Sequence, residues 1–159
     1  MQEIIKEAKE RIDLGDVVQG AGGAVQVKDL MFKYKLICIY FSSEWCSPCK
    51  EFTPILMELY SKARDIDTNG LEVIFASWDK EEAAYDRYRS TMPWPAYRWQ
   101  DPKIKEIGDK LKVTGIPSLL LLRGDGTILE KDVSYEVYCQ STAAYTRWMT
   151  DYNNTTLSK

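Results

Sequence analysis

A pair of cysteines, Cys46 and Cys49, stands between a continuous apolar run and an amphipathic run. The apolar run, residues 36–41, is typical of a central strand that is covered on both faces. The run that follows repeats apolar side chains at helical spacing, at positions 52, 55, 56, 59, 60 and 63. The sequence therefore places Cys46 at or just before the first turn of a helix that follows a buried strand.

This position gives the two thiols different chemistry. The unpaired N–H groups and the positive dipole end of a helix favour a thiolate, which is the nucleophilic form, so we expect Cys46 to be the attacking thiol. Cys49 follows one turn later on the same side, close enough to form a disulfide with Cys46, and suits the resolving position. Pro48 loses no hydrogen bond in a first turn, and its fixed φ stiffens that turn.

Two other interpretations of the cysteine pair compete with a reactive dithiol. A zinc site would need a second such pair or imidazoles, but Cys38 and Cys139 stand alone and the chain has no histidine. The other alternative is two unrelated core cysteines, which the strand-to-helix position and the adjacent Trp45 disfavour. The absence of histidine also excludes Ser-His-Asp and Cys-His nucleophiles. Cys38 and Cys139 are predicted to be inert core thiols.

Length, charge and composition limit the partners, the compartment and the number of domains of this chain. The chain has 159 residues, a formal net charge of −3 and no basic run, which argues against nucleic acid or an anionic membrane surface as a partner. The N-terminus has no signal-peptide pattern and no apolar stretch is long enough for a membrane span, so the expected compartment is the cytosol. We predict one domain over residues 1–159, with a core at about 17–130, an N-terminal helix at 2–12 and a C-terminal helix at about 134–152.

The remaining elements follow from apolar periodicity and from breakers. They are a glycine-turned hairpin over residues 17–27, strands over 71–77 and 118–122, and helices over about 80–89 and 102–111. Asp79 and Glu82 are predicted to cap the first of these helices. The strand–helix–strand order implies a right-handed crossover, which puts the cysteine pair at the carboxyl edge of a sheet.

Several separated segments match one known family in form and order. They are Tyr40–Ser43, Trp45–Lys50 with Phe52–Pro54, Ser77–Asp79, Met92–Trp94 and Gly115–Ser118. These segments resemble the thioredoxin superfamily, and within it the tryparedoxin and nucleoredoxin branch. The resemblance implies an α/β thioredoxin-like fold, with a central mixed β-sheet of about five strands and helices on both faces. In that family the loop that carries Trp94 lies beside the active site, although a core position suits this tryptophan equally well.

The resemblance also implies a function. It points to a thiol–disulfide oxidoreductase that reduces disulfides in client proteins, with Cys46 as nucleophile, Cys49 as resolving thiol and the pair cycling through a redox-active disulfide. The implied substrate groove consists of Trp45, Ser47, Pro48, Trp78, Ile116 and Pro117, and a cis bond before Pro117 faces the dithiol. The implied electron donor is a thioredoxin reductase or a low-molecular-weight dithiol, and no cofactor or metal is expected. An interaction module of the same fold with little redox turnover is the alternative function.

Three positions depart from the family pattern. Ser47 replaces the proline or glycine usual between the cysteines. Tyr40 stands where many thioredoxins bury an acid, which leaves open what takes the proton from Cys49. Lys80 stands where tryparedoxins carry an acid that helps to bind a polyamine-bearing dithiol. Because lysine is positively charged, a cationic dithiol is disfavoured as the reductant.

Overall fold

The computed structural model describes residues 10–157, in which strands and helices alternate along most of the chain. The strands are β1 (Val17–Gly20), β2 (Gly23–Gln26), β3 (Leu36–Ser42), β4 (Leu71–Ser77), β5 (Ser118–Arg123) and β6 (Ile128–Glu130). The helices are α1 (Val27–Lys33), α2 (Ser47–Ile66), α3 (Glu82–Arg89), α4 (Pro102–Lys110), α5 (Ser134–Gln140) and α6 (Ala143–Leu157). Within these described residues no helix is both long and apolar enough to cross a membrane.

The main sheet has four strands in the order β4-β3-β5-β6. β3 and β4 are parallel and joined by α2, whereas β5 is antiparallel to β3 and to β6. The β1–β2 hairpin reaches this sheet through Ala96, which bridges Gln19 of β1 and Phe75 of β4. The predicted sheet of about five strands is therefore four strands plus a two-stranded hairpin, and the mixed α/β prediction is confirmed.

The core lies on both faces of β3 and β4, in which every residue is buried, as their continuous apolar runs predict. Because side chains alternate along a strand, Cys38 and Tyr40 of β3 point to one face, against residues of α2, α3 and α6. Ile39 and Phe41 point to the other face, against residues of α1 and α4. The parallel pair ends at one edge, so the segments after β3 and β4 meet there.

The hairpin prediction is correct over residues 17–26, but Val27 begins helix α1, which the sequence reading does not predict. Val27 is β-branched and prolongs the apparent strand, and a helix of seven residues shows less than two turns of periodicity. The available signal is the spacing of Val27 and Leu30, both buried.

The N-terminal prediction differs from the structure where the two overlap. Most of the predicted helix over residues 2–12 lies in residues 1–9, outside the described residues. Residues 10–12 are not helical: the Ile12 N–H donates to the Gly126 carbonyl at 3.0 Å, beside the short strand β6. Pairing with this edge satisfies backbone groups that β6 leaves open, which explains why the helix prediction is wrong here.

The predicted single C-terminal helix is two helices, α5 and α6. Ser141 ends α5 with φ of 50°, and serine and threonine hydroxyls compete for backbone hydrogen bonds and so favour helix ends. An aromatic stripe recurs every seven residues in this region, at Tyr138, Tyr145 and Tyr152, and predicts a helix docked on the sheet. Tyr145 of α6 is buried in the core beside Trp148, but Tyr138 of α5 is 55% exposed. The stripe therefore docks on the core over α6 and not over all of its length.

Candidate active site

Cys46 is the N-cap residue of α2, the position that the sequence predicts for it. Its backbone is extended, and the N–H of Cys49 donates to its Sγ at 3.3 Å. Pro48 lies in the first turn, where it removes no helical hydrogen bond. A sulfur that accepts a backbone N–H at a helix N-terminus is placed to carry negative charge. The geometry therefore places the Cys46 sulfur where the sequence analysis expects the attacking thiol.

Cys49 lies behind Cys46 and is fully buried. Both cysteines are reduced. Burial first, and then the hydrogen bond with Cys46, raises the pKa of the Cys49 thiol to about 12. Contacts with the Ser42 hydroxyl and the Ser43 backbone act in the opposite direction. Cys49 is therefore a neutral thiol at physiological pH and must lose a proton before it can act as a nucleophile.

The loop before β5 lies against Cys46, the outer cysteine of this pair. The peptide bond between Ile116 and Pro117 is cis, as the resemblance predicts. The Cys46 Sγ donates to the Ile116 carbonyl at 3.8 Å, which places the loop directly against the outer sulfur. A pocket of about 520 Å³ adjoins the loop, lined by residues 111–118 with Lys131 and Asp132.

The other predicted groove residues divide into two groups. Trp45 is 60% exposed, and Ser47 and Pro48 are exposed on the first turn of α2, so all three border Cys46. Trp78 is only partly exposed, because its ring packs edge-on against Phe41 at 6.4 Å on the α4 side of the sheet. It lines a separate pocket of about 380 Å³ with residues of α4. A role for Trp78 in the groove stays a prediction.

Asp79 does not cap α3 with Glu82 as predicted. The N-cap of α3 is Glu81, without a side-chain hydrogen bond. The buried Asp79 carboxylate instead accepts from the Ser77 hydroxyl (2.8 Å), the Ser43 hydroxyl (3.1 Å) and the Glu44 N–H (2.9 Å). The reason is topological: the parallel strands β3 and β4 end together, so an acid just after β4 meets the loop after β3. Asp79 thereby anchors the loop that leads into Cys46.

Four buried hydroxyl groups meet beside Cys49, and we call Tyr40, Ser42, Thr53 and Tyr88 the hydroxyl cluster. The Thr53 Oγ1 lies 2.6 Å from the Tyr40 oxygen and 2.8 Å from the Tyr88 oxygen, and the Ser42 Oγ lies 2.7 Å from the Tyr88 oxygen. Burial raises the pKa of both tyrosines, so their phenols stay protonated. The sequence reading misses this cluster, and its one signal is Tyr40 in place of the usual acid.

The structure also places the three residues that the sequence left undecided or assigned to the core. Trp94 is a core residue, 4% exposed, with its ring edge-on to Tyr60 at 5.3 Å. Cys38 is buried in β3, and burial raises the pKa of its thiol, which confirms it as a core cysteine. Cys139 is exposed on α5, so its prediction as a core thiol is wrong: it lies on the side of α5 away from the buried Val137.

Apart from Asp79, the charged residues surround the site without entering it. Glu44 and Arg87 form an ion pair at 2.8 Å, and Lys50 and Lys80 are exposed. Among residues 10–157 no group of three or more thiols and carboxylates could hold a metal ion. The site therefore consists of two sulfurs, a cis-proline loop, an anchoring carboxylate and the hydroxyl cluster.

The thioredoxin-like family model matches residues 34–128, which is more than half of the chain and includes both cysteines. The chain belongs to the thioredoxin-like family. It is 37% identical over 133 residues to probable nucleoredoxin 1 of Arabidopsis thaliana, in a match that covers 84% of this chain and 22% of that protein. It is 37% identical over 92 residues to tryparedoxin of Trypanosoma brucei brucei, covering 57% of this chain and 62% of that protein.

Solved structures of this family agree with the fold. Tryparedoxin from Trypanosoma brucei matches with a TM-score of 0.75 at 29% identity, covering 87% of this chain and 94% of that one. Native tryparedoxin I from Crithidia fasciculata matches with a TM-score of 0.72 at 31% identity, covering 80% and 87%. The thioredoxin-like fold and the tryparedoxin and nucleoredoxin resemblance are thereby confirmed. The chain spans 22–30% of the length of three nucleoredoxins that it matches.

Proposed function

We propose that this protein is a thiol–disulfide oxidoreductase that reduces disulfides in client proteins in the cytosol. One observation carries the proposal: the two sulfurs of the pair are placed differently. Cys46 accepts an N–H at the helix start and faces the cis-proline loop, whereas Cys49 is buried with its pKa raised to about 12. Cys46 is thus placed to attack a client, and Cys49 stays protonated until the second exchange. The kinship with nucleoredoxins and tryparedoxins supports the same chemistry.

The proposed cycle consists of two thiol–disulfide exchanges. The Cys46 thiolate attacks one sulfur of the client disulfide; the client S–S bond breaks, and the second client sulfur leaves as a thiolate and takes a proton. Cys49 then loses its proton and attacks the Cys46 sulfur, which releases the first client sulfur. The client has gained two electrons and two protons, and the protein is left with a Cys46–Cys49 disulfide.

The cis-proline loop supplies the proposed client groove. The Ile116 carbonyl already reaches the Cys46 sulfur, so a client segment that runs extended along Ile116 would bring its own sulfur to the same place. The exposed side chain of Trp45, the residue before Cys46, offers an apolar surface to the client. Ser47 and Pro48 complete the border of the groove, and main-chain pairing of this kind would accept clients of varied sequence.

The proposed electron donor is a thioredoxin reductase or a low-molecular-weight dithiol. The solved structure of tryparedoxin II complexed with glutathionylspermidine, matched at a TM-score of 0.69, supports a low-molecular-weight thiol as the donor. In this chain Lys80 follows the carboxylate that anchors the active-site loop and is exposed. Its positive charge should disfavour a cationic donor relative to a neutral dithiol or a protein dithiol.

Replacing Lys80 with glutamate is expected to increase the rate of reduction by a cationic polyamine dithiol. Exposed charge pairs contribute about 0.2–1 kcal/mol, so the gain should be about 1.4- to fivefold and should shrink as salt is added. The measurement is the reduction rate of the oxidised protein by trypanothione and, as the neutral reference, by dithiothreitol. Equal rates for both dithiols in both proteins would remove the charge argument.

Insulin reduction by dithiothreitol tests the proposed function. The wild-type protein should accelerate the precipitation of insulin chains, and Cys46→Ser should return the rate to that of dithiothreitol alone. Cys139→Ser is the matched control, because this thiol is exposed but lies outside the site, and it should keep full activity. A wild-type rate equal to the uncatalysed rate would instead favour an interaction module of the same fold.

A further inference from the structure

The pocket of about 520 Å³ beside the cis-proline loop lies where a client of the proposed function would bind. Ile116 and Pro117 line it, and the Ile116 carbonyl accepts a hydrogen bond from the Cys46 Sγ. A client segment that pairs with Ile116 and brings its sulfur to Cys46 therefore carries the residues next to its own cysteine past this pocket. The side chains that line the pocket can thus distinguish one client from another.

Two lysines give this pocket a net positive charge. Lys112, in the loop after α4, and Lys131, just after β6, both line it, together with Asp132. The Asp132 Oδ1 is already engaged, because it accepts the backbone N–H groups of Leu119 at 3.0 Å and Ser134 at 2.9 Å. Both lysines are exposed, and neither has an ion-pair partner within residues 10–157. The pocket therefore offers two ammonium groups to an anionic group of a client.

Lys112 occupies a backbone position that favours glycine. It follows the end of α4, where the Val113 N–H donates to the Gly108 carbonyl at 2.8 Å and the Lys112 N–H donates to the Asp109 carbonyl at 3.2 Å. These two bonds form a Schellman motif, in which this position is left-handed and is usually glycine. The φ of Lys112 is indeed 58°. The chain thus keeps a charged side chain beside the cis-proline loop at a position where the local backbone favours none.

We propose that Lys112 and Lys131 select clients that carry an acidic residue next to the cysteine of their disulfide, a preference that rests on the function proposed above. The client carboxylate lies in the pocket while the client main chain pairs with Ile116. An ammonium on a flexible stem attracts a carboxylate without demanding one geometry, so aspartate and glutamate at more than one position are accepted. The chain as a whole carries a net charge of −3, so this attraction is local and is screened by salt.

Short peptides with one cysteine test the preference, with the full chain carrying Cys139→Ser as the parent because that exposed thiol would also react. The cysteine of each peptide is joined by a disulfide to 2-thiopyridine. Attack by Cys46 on the peptide sulfur breaks this bond, leaves the peptide on Cys46 and releases uncharged pyridine-2-thione, which is followed by its absorbance. Each rate constant is divided by that of dithiothreitol with the same peptide, which removes differences in the intrinsic reactivity of the peptides.

The peptides carry glutamate one or two residues before or after the cysteine, and each has a glutamine counterpart. At low salt we expect the glutamate peptide to react about threefold faster than its counterpart at one or more of these positions, an effect typical of exposed charge pairs. High salt should remove the difference. Lys112→Gly and Lys131→Gln should each reduce the glutamate preference, and the double variant should abolish it while the glutamine peptides react within about twofold of the parent.

Two features of these variants separate the charge from a structural effect. Glycine suits the left-handed backbone at position 112, so Lys112→Gly should leave the loop in place. Lys62→Gln is the matched control, because it removes the same charge from an exposed lysine about four turns of α2 beyond Cys46 and should keep the full preference.

Three results would overturn the preference for acidic clients. They are equal rates of the parent with all glutamate and glutamine pairs, an undiminished preference in the double variant, and a loss in Lys62→Gln as large as that in the double variant. Failure of the parent to react with any of the peptides, glutamine peptides included, would instead overturn the proposed function itself.

Discussion

Replacing Cys49 with serine should convert the protein from a turnover catalyst into a trap for its client. The variant keeps the Cys46 sulfur and the groove, so the first exchange should proceed. It loses the intramolecular displacement, which is fast because Cys49 is held beside Cys46. With insulin as the client we expect a covalent adduct on a non-reducing gel and a fall in turnover of at least about a hundredfold. Dithiothreitol should reduce the mixed disulfide and release the client from the adduct.

The double variant Cys46→Ser, Cys49→Ser is the control for this trap. It keeps the same fold and the same exposed thiol, Cys139, but lacks the attacking sulfur. Adducts that persist in the double variant would assign the reaction to Cys139. The absence of any adduct in the single variant would mean that the groove binds without exchange, as an interaction module would.

Replacing Asp79 with alanine should cause a large loss of stability together with a loss of activity. The buried carboxylate accepts three hydrogen bonds, two of which hold the loop before Cys46. Hydrogen bonds to a charged group contribute about 1.5–3 kcal/mol each, and some of the freed donors will find water. We expect the free energy of unfolding to fall by about 3 kcal/mol in a urea titration, and insulin reduction to slow because Cys46 is less firmly placed.

Glu82→Ala is the matched control for Asp79→Ala, since the two residues form the capping pair that the sequence predicts. Glu82 is exposed, and in the structure no cap bond joins it to Asp79. Its replacement should change the free energy of unfolding by less than about 0.5 kcal/mol. Equal losses in the two variants would show that the pair acts as a helix cap after all.

The parts of this site that the sequence predicts are those that depend on neighbouring residues. A buried strand followed by a helix fixes the place of Cys46, and a first-turn spacing fixes that of Cys49. The cis bond at Pro117 is predicted by the resemblance to the family and not by the residues, because the local sequence says little about the isomer of one bond. The thioredoxin-like fold follows in the same way from several short segments in order.

The parts that the sequence does not predict depend on contacts between distant segments. Asp79 and Glu82 have the spacing of a cap, but the end of the parallel strands offers Asp79 three donors and that contact prevails. The hydroxyl cluster joins residues of β3, α2 and α3, whose side chains look like ordinary core or cap residues when read alone. Cys139 lies beside the aromatic stripe in the sequence. Only the break at Ser141 separates α5 from α6, so that α5 does not continue the buried face of α6.

Alkylation of the reduced protein tests the division of labour between the two sulfurs most directly. The protein is treated with less than one equivalent of iodoacetamide in the Cys139→Ser background, digested with trypsin and sequenced by fragmentation. The fragmentation is required because Cys38, Cys46 and Cys49 share the peptide Leu36–Lys50. Our account predicts that the label lies on Cys46, because its sulfur lies at the helix start while Cys49 is a buried thiol. Label found first on Cys49 would contradict it.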